Sequence, residues 1–300
     1  DGQMRFWGNS SVSTWYSQVQ DGQFDKPSEA SMIRVDLKND RYFFTAGQHR
    51  VDKNFHPALG FVQRNDMVGT GAIMGFTPRV GNGEEVIRQM RFTLYVRDVK
   101  NLEGLSETSI VNGGIDAIFE SRDRIGLKII QEKEKLSNGF TLGNGLEIQK
   151  GNYSDRKISF SARTNQSRGV WGNFAISKGD YFGGNKTSWA GSIGKQFSNH
   201  LTLYGSANQN IIFMSNQGEF TANVYGFTAE VALNRKWFGK AIIQYDNFSE
   251  QLQFYCRINW IHTPGSDLFI VLNKRYNMNN DKKELIQNTQ VIKLTYLIQI

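Results

Sequence analysis

Apolar side chains return at every second position along most of this chain, with polar ones between them. Successive side chains of a β-strand point to opposite faces, so this period marks strands with one apolar and one polar face. In the first half, Ile33, Val35 and Leu37 alternate with Arg34, Asp36 and Lys38, and an Asn39-Asp40 turn leads into Tyr42, Phe44 and Ala46. Met90, Phe92, Leu94 and Val96 alternate with Arg91, Thr93, Tyr95 and Arg97. Val111, Ile115, Ala117 and Phe119 follow, and Arg122-Asp123 turns the chain into Ile125, Leu127 and Ile129.

The second half is more regular. Ile158, Phe160 and Ala162 oppose Lys157, Ser159, Ser161 and Arg163, and Val170, Gly172, Phe174 and Ile176 continue the series. Tyr225 to Leu233, Trp237 to Tyr245 and Leu252 to Trp260 then alternate almost without interruption, with aromatic residues at the ends of the apolar face. The last stretch, 289–300, sets Ile292, Leu294, Tyr296, Ile298 and Ile300 on one face, with Lys293 on the other. A chain that ends on such a strand resembles the closing strand of an outer-membrane barrel. With a first strand at 4–19 and further ones at 67–77 and 267–275, the pattern predicts about 16 strands, spaced as spanning strands of 9 to 11 residues plus a turn.

Two short turns, 235–236 and 249–250, contrast with longer connections at 51–66, 82–85, 131–146, 179–186, 214–220 and 276–288, as in barrels with short periplasmic turns and longer outer loops. No amphipathic helix of more than two turns and no fixed-period repeat stands out. The fold this predicts is all-β: one antiparallel up-and-down transmembrane β-barrel domain over residues 1–300.

Composition supports that class. The chain has 30 Gly, 4 Pro and 13% aromatic residues, rich in turn and strand formers. A mean hydropathy of -0.47 excludes a helical membrane protein, because no apolar run approaches the roughly 18 residues a spanning helix needs. It suits a barrel, which spends half of its residues on a polar interior. The single Cys256 permits no internal disulfide and reads as a small lipid-facing or core side chain. The net charge of +7 is spread along the chain without a basic helix or tract, which argues against a nucleic-acid partner.

Little catalytic chemistry stands out. His49, His56, His200 and His262 lie far apart without metal-ligand spacing, so neither metal nor cofactor is expected. Glu84-Glu85 and the Glu132 to Lys135 run could supply paired carboxylates of the glycosidase type but read as a solvated loop or strand end, and no nucleophile elbow or phosphate-cradling loop is present. The polar faces carry more information. Arg34, Arg91, Arg97, Arg163, Lys240, Arg257 and Lys293 all lie opposite apolar residues, as do Asp36, Asp116 and Asp246, and would line a lumen. Two readings stand side by side: an interior that favours anionic or hydroxyl-rich solutes, and charge ladders that only brace the wall.

Asn54, Phe55, His56, Pro57, Ala58, Leu59, Gly60, Phe61, Val62, Gln63 and Arg64 run consecutively. They resemble the Asn-Phe-x-Pro-x-x-Gly-Phe-Val-x-Arg signature of an uncharacterised C-terminal barrel domain that follows a family-9-type carbohydrate-binding module in Bacteroidota proteins. Ile242 to Tyr245, Arg257 to Trp260 and Pro264 to Phe269 are similar to that family's ending. Ile300, where an aromatic is commoner, and His56, where Asn is usual, depart from it.

The resemblance implies an outer-membrane location in a Gram-negative bacterium, a link to glycan handling and no catalytic residue. It also implies that the chain is the C-terminal part of a longer protein whose upstream strands complete the sheet. In the signature loop, Phe55 and Phe61 are expected to pack, Pro57 and Gly60 to fix a turn, and Arg64 to pair with a carboxylate. The implied partners are the lipid bilayer, the barrel assembly machinery and other envelope proteins or glycans. Three readings follow: a conduit or membrane anchor, a scaffold subunit with a plugged lumen, and a soluble β-rich glycan-binding or hydrolytic domain.

Overall fold

A computed structural model describes residues 1–20, 26–80, 85–279 and 283–298. Among them there is no α-helix, hence none long and apolar enough to cross a membrane, and a 3-10 turn lies at Gly143–Gly145. Nineteen strands account for the rest of the regular structure, and 17 of them belong to an antiparallel up-and-down sheet. The chain divides into two compact units.

The first unit comprises Asp1–Glu120, Arg124–Phe160 and Lys178–Asn185. Its ladder runs in sequence order through β1 (Gly2–Phe6), β2 (Ser10–Val19), β3 (Ser28–Lys38), β4 (Tyr42–Val51), β5 (Met67–Phe76), β6 (Ile87–Lys100), β7 (Ser106–Phe119) and β8 (Arg124–Leu136). A two-stranded hairpin of β9 (Phe140–Thr141) and β10 (Glu147–Ile148) follows. Three further strands, β11 (Gly151–Arg163), β12 (Val170–Tyr181) and β13 (Gly184–Ser198), have residues in both units.

The second unit comprises Ser121–Asp123, Ser161–Ser177 and Lys186–Ile300. Its ladder runs through β14 (Leu201–Met214), β15 (Gly218–Ala232), β16 (Trp237–Asp246), β17 (Gln251–Thr263), β18 (Ser266–Asn277) and β19 (Glu284–Thr295).

Register fixes which residues share a face. In the first unit Leu37, Phe44, Met74, Leu94, Gly113 and Ile129 are cross-strand neighbours in one row, and Lys38, Phe43, Gly75, Thr93, Gly114 and Lys128 form the adjacent row on the opposite face. In the second unit Phe227, Ile243, Phe254 and Lys274 share a row, and Glu230, Lys240, Arg257, Val271 and Val291 share one on the other face. The apolar face is the exposed one: Ile33, Phe92, Ile115, Leu127, Phe227, Ile243 and Ile292 are all open to the surroundings.

The burial of a water-soluble sandwich, with its apolar face inside, is therefore inverted. Aromatic rings gather toward the ends of this band. Tyr42 stacks on Phe76 at 5.0 Å, Phe76 on Phe92 at 6.3 Å, and Trp237 on Trp260 at 5.4 Å.

Several strand limits differ from the alternation pattern. The stretch 4–19 is two strands, with Met4 opposite Val12, because Trp7 and Gly8 take positive φ and reverse the chain. Residues 131–136, expected in a loop, continue β8, where Glu132 pairs with Lys157 at 2.8 Å. The expected loop 179–186 shrinks to Phe182-Gly183 between β12 and β13, both at positive φ. At the C-terminus, β19 ends at Thr295, so Tyr296 and Ile298 lie beyond the strand. There the Leu297 N–H donates to Ser266 Oγ at 2.9 Å. Residues 82–84, including Glu84, and Gln299 and Ile300 lie outside the described residues.

Within the second unit, residues 121–123 are clamped to the 164–169 connection. The Asn165 N–H donates to Asp123 Oδ1 at 2.9 Å and Arg168 to Asp123 Oδ2 at 2.6 Å. The Asn165 bond first, then those from Ser121 and Arg168, hold the Asp123 carboxyl below the usual carboxylate range.

Candidate functional site

The face opposite the apolar band carries the charge, and in the first unit it encloses a cavity of about 660 Å³. β3 supplies Arg34, Asp36 and Lys38 to it, since these alternate with Ile33, Val35 and Leu37. β6 supplies Arg91, β7 Asp116, and β8 Arg124 and Lys128. Arg34 grips Asp36 through two bonds of 2.8 Å, and the Thr45 hydroxyl donates to the same carboxylate at 2.7 Å. Asp116 is buried and accepts from Arg124 at 2.6 Å.

Arg91 stands directly across from Asp116 in register, yet among the described residues it bonds no carboxylate. Its guanidinium lies over the Phe43 ring at 5.6 Å, and its buried Nε has no hydrogen-bond partner among the described residues. The ring rests on Gly75, where an added Cβ would come within 2.2 Å of it, so only glycine leaves Phe43 this position. Lys38 and Lys128 likewise make no ion pair among the described residues.

Farther along the same face the character changes. Trp15, Val19, Ala30, Val51, Met67 and Val99 all fall on the inner parity, and Ala30, Val51, Met67 and Val99 form a buried apolar cluster with Phe55. Phe55 belongs to the 52–66 connection between β4 and β5, so this loop docks on the inner face. Arg64 bonds Glu107 and reaches Thr108 Oγ1 at 3.3 Å, a second tether. Pro57 accepts from the Gly60 N–H at 3.3 Å and forms the loop's turn beyond Asn54. Phe61, expected to pack, is 89% exposed. After the Pro57–Gly60 turn the chain returns to the cluster through Val62, and Phe61 beside it points outward.

The sequence candidates are therefore not one constellation. Arg34 and Arg91 share the cavity, and Arg97 lies on the same face next to the row of Asp36 and Tyr95. In the second unit, Lys240 stands opposite Arg257 and binds Glu230 at 2.9 Å, while Arg257 and Lys293 flank the Phe269 ring at 4.8 and 5.7 Å. Arg163 ends β11 in that unit.

Arg124 and Lys128 were absent from the sequence candidates, although their alternation with Ile125, Leu127 and Ile129 carries the same signal that selects Arg34. Among the described residues no three His, Cys, Asp or Glu side chains come together as a metal site. Cys256 faces the apolar side of β17, opposite Ala241 and Leu272.

No protein-family model matches this chain, and no curated protein matches it in sequence. A comparison of structures matches it to OmpT, an outer membrane protein of Vibrio cholerae, with 8% sequence identity and a TM-score of 0.39, over 94% of this chain and 93% of that one.

Proposed function

We propose that this chain is a transmembrane β-barrel of the outer membrane of a Gram-negative bacterium, its apolar face in lipid and its charged face around an aqueous conduit. The observation that carries the reading is the sorting of charge between faces. On β15 to β17 the outward row positions between the aromatic ends are Phe227, Ala229, Val231, Gly239, Ala241, Ile243, Phe254, Cys256 and Ile258, while Glu230, Lys240 and Arg257 point the other way. Trp237 and Tyr245 bound this stretch; their separation is roughly 26 Å of strand at about 3.3 Å per residue, or roughly 20 Å of height after tilting. That is near the roughly 25 Å apolar band of such barrels. Lys274, outward on β18, lies two residues from Tyr276 at the edge of the band, within snorkelling reach of the interface.

The antiparallel ladders also bond the backbone N–H and C=O groups that hydrocarbon cannot. A soluble glycan-binding domain would expose the same band to water, where patches of this extent promote association. The link to glycan handling rests on the sequence resemblance, and it gives the barrel the role of anchor for a glycan-binding module.

A second reading, a scaffold subunit with a closed lumen, draws support from one observation: loop 52–66 is docked on the inner face through Phe55 and Arg64. Single-channel recording of the detergent-purified protein in planar bilayers separates the two. Steady conductance supports the conduit. A folded, heat-modifiable barrel without conductance supports the plugged scaffold, and failure to enter bilayers at all contradicts both.

A further inference from the structure

We propose that the inner face of the first unit holds a binding site for a small multivalent oxyanion, a phosphate or sulfate group borne by a solute. The proposal rests on the barrel reading only for the route by which the solute arrives. Five basic side chains, Arg34, Lys38, Arg91, Arg124 and Lys128, line the cavity against two acids, Asp36 and Asp116. Both acids are already occupied, Asp36 by Arg34 and Asp116 by Arg124. The balance is three positive charges, five less two, carried by Lys38, Arg91 and Lys128, which make no ion pair among the described residues although Asp116 stands across from Arg91 and Asp36 lies near Lys38.

Such a cluster repels itself until an anion sits within it. Arg91 adds its charge to the site. Its Nε is buried without an acceptor among the described residues, which is costly, and being closed to solvent it leaves the Nη groups as the donors that face a solute. The guanidinium lies 5.6 Å from the Phe43 ring centroid, and its forked donors match the oxygens of phosphate or sulfate.

The two ion pairs shape the site as well. Arg34 and Arg124, fixed by their carboxylates, add donors held in place, and their acids limit how much anionic charge the cavity accepts. A volume of about 660 Å³ suits a small solute rather than a polymer. Three net charges and forked donors select an oxyanion with two or more charges over chloride.

The test is calorimetric titration of the detergent-folded full chain with inorganic phosphate and with sulfate at constant low ionic strength, with chloride as the control. Saturable binding at one site per chain is expected for both oxyanions and not for chloride. Arg91→Gln and Lys128→Gln each remove a charge-assisted contact and are expected to weaken binding about tenfold. Neither side chain makes an ion pair among the described residues, so both variants keep heat-modifiable migration. Lys293→Gln, in the second unit, leaves binding unchanged.

Oxyanion heats no larger than those of chloride, or variants that bind as the parent does, overturn the site. Flotation of the same preparation with lipid vesicles reads the barrel separately: protein that floats without binding phosphate removes the site and keeps the barrel. Protein that binds phosphate but fails to float removes the barrel and keeps the site.

Discussion

Ile243→Arg sets a charge on the outward face of β16, and Gln244→Arg sets the same charge one residue further on, on the inner face. Ile243 stands between Phe227 and Phe254 and is 44% exposed on the band; Gln244 stands between Gly226 and Gln253. Ile243 lies two residues from Ala241, the midpoint of the Trp237 to Tyr245 stretch, or roughly 5 Å from mid-height after tilting. Arginine near the midplane costs about 2–4 kcal/mol, and about 2–3 at this depth.

The lost isoleucine adds to that. With 44% of its surface on the band, it forfeits about that share of the roughly 1.5–3 kcal/mol of a full burial, or about 1 kcal/mol. The sum, about 3–4 kcal/mol, lowers the folding equilibrium constant in lipid by a factor of roughly 100 to 1,000. Gln244→Arg is expected to stay within about 0.5 kcal/mol, as an exposed substitution does. Urea titration of protein folded into phospholipid vesicles, read by heat-modifiable migration, measures both. Equal effects, or a larger one for Gln244→Arg, would refute the facing assigned to β16.

Other expectations concern the loop, the strand contacts and the turns. Phe55→Ala empties the inner apolar cluster, a change worth about 3–5 kcal/mol in a packed core, and should undock loop 52–66. The variant is expected to be cut by protease within 52–66 and to conduct more than the parent, and unchanged cleavage would count against docking. A Cβ at Gly179 would come within 2.0 Å of the Arg156 carbonyl oxygen. Gly179→Ala should therefore cost about 1–3 kcal/mol or more in urea titration. Gly113→Ala, with nothing within 4 Å, serves as its neutral comparison.

The Asp123 clamp should depend on pH. Its carboxyl lies below the unfolded value, so its stabilisation is full above that value and fades as pH falls through the lower folded one. Protection against hydrogen exchange at 121–123 and 164–169, taken relative to the pH-dependent intrinsic rate, is expected to hold steady down to about pH 4 and to fall below it in the parent. Asp123→Asn should remove that step; protection lost on raising pH instead would contradict the assignment.

The alternation in the sequence carries most of the fold, and particular residues show where it stops. The facing of Arg34, Arg91, Lys240, Arg257 and Lys293 follows from the apolar neighbours at their sides, because only one face of each strand can meet lipid. Residues 131–136 and 179–186 read as loops because both faces turn polar beyond the apolar band, although backbone pairing continues there without a hydrophobic period to mark it.

The docked loop left its own trace. Trp15, Met67 and Val99 are apolar on the inner parity, where their strands otherwise carry mostly polar residues or glycine with Ile73 as an exception, and they mark a surface covered by something else. The cavity was only half legible. Arg34 and Arg91 fall on the right face, but their sharing it with Arg124 and Lys128 depends on cross-strand register, which spacing along one strand does not contain.

The central claim is that β17 has lipid on one side and water on the other. Cysteines introduced one at a time from 251 to 260, in a Cys256→Ser background, can be spin-labelled and read for accessibility to oxygen and to a water-soluble nickel complex in lipid vesicles. Oxygen maxima are expected at 252, 254, 256 and 258 and nickel maxima at 253, 255, 257 and 259. Accessibility without this two-residue period, or with the phases exchanged, would contradict it.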